Sequence, residues 1–157
     1  LAIDRHWDLS ACQHSLMHLL DGIQPEQRHQ PINVLRLSLH PGGLAPRIAN
    51  LPQWRAHLLA RLRHQIAVSG DATLVALLEE LQTYPVPQGK KHHQSQEEFA
   101  QVASPLQLVT NVGILSLLST TTVFGTPVDI TVSEIALETF FPADDTTAAA
   151  LKRLADL

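Results

Sequence analysis

Between Arg36 and Arg63 the chain reads RLSLHPGGLAPRIANLPQWRAHLLARLR, an apolar segment run into a helix through a turn of Pro41, Gly42 and Gly43. Nothing else in the sequence limits the fold as tightly. Asn50 is placed as an N-cap, with Gln53 three residues on as the other half of a capping-box-like pair. Leu51, Trp54, Leu58, Leu62 and Ile66 follow at three- and four-residue intervals, the stripe of an amphipathic helix. Gly70 and Asp71 end that helix and cap the next, in which Leu74, Leu77, Leu78 and Leu81 mark one face and Glu79 and Glu80 leave it. Upstream, Pro31 opens INVLRLSLH, where Ile32, Leu35 and Leu39 recur at helical spacing.

The two ends of the chain read differently. LAID and LSACQ flank Arg5-His6-Trp7-Asp8, which predicts a short hairpin, and Ser15 is placed to cap a brief helix running to Leu20 and ended by Gly22. From Pro85 to Ser104 the composition turns to Pro, Gln, Lys, His and Glu, the signature of a flexible loop. The last third is rich in Leu, Val, Ile, Thr and Phe and predicts strands near 105–110, 114–124 and 129–141, then a helix capped by Asp144. In the last strand Ile135, Leu137, Thr139 and Phe141 fall on one face and Ala136, Glu138 and Phe140 on the other. Two strands, several helices, three strands and one helix make an α+β chain, with helices segregated to one side of an antiparallel sheet.

A length of 157 residues suits one domain, 1–157, with a single core. The chain begins at Leu1 with no signal-peptide pattern, so we expect a fragment of a larger cytoplasmic protein. No apolar run approaches the ~18 residues that span a bilayer. Cys12 is the single cysteine, which rules out an internal disulfide. A formal charge of −4 lacks the concentrated basic surface that phosphate backbones demand, so these residues alone should not bind DNA specifically. Arg47, Arg55, Arg61 and Arg63 would form a basic outer face.

Few patterns suggest catalysis. The chain has no G-x-S-x-G elbow, no P-loop and no G-x-G-x-x-G, and the adjacent pairs Glu79-Glu80, Glu97-Glu98 and Asp144-Asp145 point apart on a helix. Of nine histidines, His14 and His18 share one helical face near Cys12, but no H-E-x-x-H or further ligand accompanies them. A partly exposed helix end accounts for them as well. We therefore expect no enzyme, no metal and no cofactor.

The stretch from Arg36 to Arg63, together with STTTVFGTPVDITVSEIALETFFPAD from Ser119 to Asp144, resembles in order the signature of the MmyB-like ligand-binding domain of Xre-family helix-turn-helix transcription regulators. The resemblance covers nearly the whole chain, apart from an unmatched stretch around Lys90 to Gln101. It departs where the family commonly places an Asn entering the first helix, since this chain has His14 there. The resemblance implies a PAS-like fold, a sheet built from both chain ends and covered on one face by the central helices. It also implies a bacterial sensory domain that binds an apolar, fatty-acid-like effector between helices and sheet. DNA would be reached only through an N-terminal helix-turn-helix outside these residues, and a homodimer is expected.

On that reading Leu115, Leu117, Ile135 and Leu137 of the sheet face Leu58, Leu62 and Ile66 of the long helix and Leu35 and Leu39 of the earlier one. Only four Phe, one Tyr and two Trp are available to fill the space, and many strand positions are small, from Ser116 through Thr122. A pocket and a filled core both remain open. The candidate ligand-binding residues are Asn33, Arg36, Leu35, Leu39, Leu58, Leu62, Leu115, Leu117 and Leu137. Asn33 and Arg36 lie three residues apart on one helical face, an N-x-x-R pair that recurs in the family, and Arg36 could hold an anion. The alternative is a helix-start residue and a structural ion pair. The rival to an effector domain is a ligand-free dimerisation module, with an unrecognised metal-dependent enzyme behind both.

Overall fold

The computed structural model describes residues 1–13, 23–24, 30–86, 105–123 and 135–155. Their elements run β1 (Ala2–Asp4), β2 (Leu9–Ala11), α1 (Val34–Leu39), a 3-10 turn (Ala45–Arg47), α2 (Leu51–Ser69), α3 (Ala72–Thr83), β3 (Leu106–Thr110), β4 (Gly113–Val123), β5 (Ile135–Pro142) and α4 (Asp145–Ala155). The expected helix from Ser15 to Leu20 and nearly all of the 85–104 loop lie outside the described residues.

The strands form one antiparallel sheet in the order β2-β1-β5-β4-β3, so the N-terminal hairpin adds to the C-terminal meander through β5. Asp4 builds the hairpin turn: its carboxylate accepts from the backbone N–H of His6 at 2.8 Å and of Asp8 at 2.9 Å. This holds Trp7 at φ 70°, a left-handed conformation that a bulky side chain adopts only when its surroundings impose it. The Trp7 carbonyl then accepts the Val34 N–H at 2.9 Å, which ties the turn to the start of α1.

Asn33 caps α1, accepting from the Arg36 N–H at 3.2 Å. Its amide donates to the His6 carbonyl at 2.8 Å and to Asp8 Oδ1 at 2.9 Å, so one buried side chain joins helix and hairpin. Asn50 corrects an expectation. It stands at the N-cap of α2 but makes no capping hydrogen bond with its side chain. It donates instead to the Pro105 carbonyl at 2.8 Å and accepts from the Gln107 N–H at 3.0 Å, pinning α2 to β3. Gly70 ends α2 in the left-handed conformation, and Asp71 caps α3 by accepting from the Thr73 N–H.

Register decides which face of the sheet meets the helices. Directly paired residues of antiparallel strands share a face. Leu106 pairs with Leu117 and Leu108 with Leu115, and all four are buried. Across the next seam Leu117 pairs with Pro142, Ser119 with Phe140 and Thr121 with Glu138, which turns the even-numbered residues of β5 inward. Ile135 and Leu137 therefore project from the opposite face to Leu115 and Leu117, contrary to the sequence expectation. On that outer face Ile135 is 42% exposed and Phe141 51%. The inner face is covered by Leu35 and Leu39 of α1, Leu58 and Leu62 of α2, and more remotely by Leu74 and Leu81 of α3.

Candidate ligand-binding site

Helices α1 and α2 do not close completely on the sheet. A cavity of about 640 Å³ lies there, floored by Leu106, Leu108 and Leu117 and roofed by Leu35, Trp54 and Leu58. Its size is that of a small-molecule pocket, and its walls are mainly aliphatic. Trp7, Leu44, Phe140 and Leu151 of α4 border it further round, and Ala11, Cys12 and Gln13 follow from β2. Both tryptophans are fixed by their indole N–H groups. Trp54 donates to Ser38 Oγ at 2.9 Å and Trp7 to Gln65 Oε1 at 2.8 Å.

The polar boundary is sparse, consisting of Cys12, Gln13, Ser38, Glu138 and Thr139. Glu138 is only 5% exposed, and its Oε1 accepts from Arg61 Nη1 at 2.7 Å. Arg61 also donates to Thr121 Oγ1 at 2.6 Å and lies 4.8 Å from the Trp7 ring centroid, a cation–π distance. Arg61 is thus turned inward rather than set on a basic outer face, and Arg55 donates to the carbonyls of Leu81 and Gln82 at the end of α3. Burial and the neighbouring Arg61 hold the His57 imidazole below the usual histidine range.

The candidate residues separate in space. Leu35, Leu58, Leu117 and Leu137 border the cavity, although the register of β5 turns the Leu137 side chain to the other face. Leu39, Leu62 and Leu115 are fully buried in the packed core and do not border it. Asn33 is committed to the hairpin, as described above. Arg36 makes a bidentate pair with Glu80, Nε to Oε1 at 2.9 Å and Nη2 to Oε2 at 2.6 Å, and the Tyr84 hydroxyl donates to the same carboxylate. Sequence reasoning passed over Trp7, Trp54, Ser38, Phe140 and Glu138. The two tryptophans could have been found, being the largest side chains in a chain poor in aromatics.

The Arg36 hydrogen bonds, aided by the Tyr84 hydroxyl, hold the Glu80 carboxyl below its ordinary range. A depressed folded-state value stabilises the fold above the ordinary carboxylate range, and that contribution is lost as pH falls through the depressed value. Arg36→Gln should therefore be less stable than the parent at neutral pH, with the two unfolding free energies converging in acid. Urea titrations at both pH values test this, and a constant difference across the range would assign the effect to packing.

His14 and His18 lie outside the described residues, and among those described no group of three or more His, Cys, Asp or Glu could hold a metal. Among them, too, no helix is long and apolar enough to cross a membrane. Among the described residues a curled five-stranded antiparallel sheet, four helices and an apolar cavity between the layers make an α+β arrangement consistent with a PAS-like fold. The family model of the MmyB-like transcription regulator ligand binding domain matches residues 1–154, and the chain belongs to this family. It is a family of regulator domains and not of enzymes. A search of curated proteins returns no match.

Proposed function

We propose that this ligand-binding domain takes up an apolar, fatty-acid-like effector between α1, α2 and the inner face of the sheet. The observation that carries the reading is the 640 Å³ cavity with its mainly aliphatic wall. The effector acts by linkage: it binds one arrangement of the domain better than another, and the difference alters DNA binding by an attached helix-turn-helix domain. Catalysis has no part in this. The setting is a bacterial regulator of the Xre type in the cytoplasm, working as a homodimer. The exposed Ile114, Leu118, Ile135 and Phe141 on the outer face of the sheet support self-association through that surface.

Filling the cavity tests the proposal. Leu58→Phe and Leu117→Trp add volume where space is empty, so both should abolish uptake of the molecule that co-purifies with the protein, read by extraction and mass spectrometry. Their stability should stay within about 1 kcal/mol of the parent, whereas overpacking a filled core costs ~1–3 kcal/mol. Cys12, at the cavity's border, supplies a second readout. A bound molecule should slow its reaction with a thiol reagent in the parent and not in the filled variants. Clear destabilisation by both substitutions, with no molecule extracted from the parent, would leave a ligand-free dimerisation module as the better account.

A further inference from the structure

We infer that Trp54 sets the length of the hydrocarbon chain this cavity accepts, standing as the stop at its buried end. The inference rests on the cavity reading given above and names the residue that decides among chains of one class. Every strand of the sheet contributes to the border: Ala11 from β2, Ala2 from β1, Phe140 from β5, Leu117 from β4 and Leu108 from β3. In the strand order β2-β1-β5-β4-β3 these cover four strand spacings, about 19 Å along the sheet, so the cavity runs across the strands. A volume of 640 Å³ drawn out in that way suits an extended chain better than a compact ring system.

The two ends differ in burial. Toward β2, Ala11 and Gln13 are exposed, whereas toward β3 the bordering Leu106, Leu108 and Trp54 are all buried, Trp54 at 3%. Asn50 pins the start of α2 to β3, and Trp54 follows one turn later, its N–H donating to the Asn50 carbonyl at 3.0 Å. The tail of a bound chain belongs at this end, because each methylene taken out of water stabilises the complex. The head group does not enter the argument. The indole is also held in place: its N–H donates to Ser38 Oγ of α1, and the His57 ring stacks on it with centroids 5.5 Å apart and planes 26° from parallel. A large side chain tied at its edge and covered on its face does not swing aside for one more methylene, so a chain that reaches it goes no further.

Titrating the parent with the even-numbered straight-chain carboxylates from octanoate to stearate, each below the concentration at which it self-associates, reads the accepted length. Trp7 borders the cavity and is retained in every variant, so its fluorescence reports binding throughout. Affinity should rise about fourfold per methylene, the equivalent of ~0.8 kcal/mol, up to a limiting length and no further beyond it. In Trp54→Leu the limit should move out by about two carbons, and stearate should bind roughly tenfold more tightly than it binds the parent. Trp54→Phe keeps an aromatic ring in the core and should give a smaller shift of the same sign, which covers the case in which Trp54→Leu does not fold. An unmoved limit in a folded variant, or an affinity that climbs unbroken to stearate in the parent, would overturn the role of Trp54 while leaving the cavity in place. Failure of the whole series to bind the parent would remove the cavity reading and this inference with it.

Discussion

Arg61→Leu is expected to lower the unfolding free energy by about 3 kcal/mol, because it strands the Glu138 carboxylate in the interior. The side chain of Glu138 is 6% exposed and that of Arg61 24%, so water can replace little of what the guanidinium provides. The substitution also removes a hydrogen bond to Thr121 and the contact over Trp7. Removing both charges is a different experiment. Arg61→Leu with Glu138→Leu leaves no buried ion, and replacing a whole pair by apolar side chains is often neutral, so the double variant should recover most of the loss. Urea unfolding of the parent, both single variants and the double variant closes the cycle. A single-variant cost under about 1 kcal/mol would mean that the pair behaves as a surface salt bridge.

At the next position of the same helix, Leu62→Ala should cost about 3–4 kcal/mol, within the range for large-to-small changes in well-packed cores. Leu62 is 0% exposed and lies outside the cavity wall, so every methyl group removed leaves a new void. Leu58 sits four residues earlier on the same stripe and borders a space that already exists. Loss of volume at 62 and gain of volume at 58 thus separate the packed part of α2 from the part that roofs a site. Thermal or urea unfolding of Leu62→Ala reads the first half of this comparison, and a cost below about 1 kcal/mol would place Leu62 in a loosely packed region.

Much of this was legible because it is local. The stripe from Leu51 to Ile66, the Gly70 stop and the Asp71 cap are properties of short windows, and the helices form where those windows put them. The alternation of β5 was legible too, but not which of its faces turns inward. Hydropathy favours Ile135 and Leu137, whereas the register with β4 selects Ala136, Glu138 and Phe140. A window around Glu138 contains no hint of Arg61, which lies 77 residues away. Asn50 failed as a cap for a related reason: β3, distant in sequence, offers its amide better partners than the first turn of its own helix. The cavity could be anticipated from the scarcity of aromatic side chains, while its polar edge had to await the long-range pairing.

Strand β1 leaves the ribosome long before β5, and yet β5 is the strand that joins it to the rest of the sheet. Until β5 arrives, the hairpin of β1 and β2 has no third strand beside it, and a two-stranded ribbon is marginal in water. Its unsatisfied edge must wait through the synthesis of all the intervening helices. Contacts of such long sequence separation slow folding and lengthen the exposure of unpaired strands. Helices α2 and α3, whose contacts are local, can assemble first as a helical hairpin, so the α2–sheet interlayer that holds the cavity is among the last parts of the molecule to form.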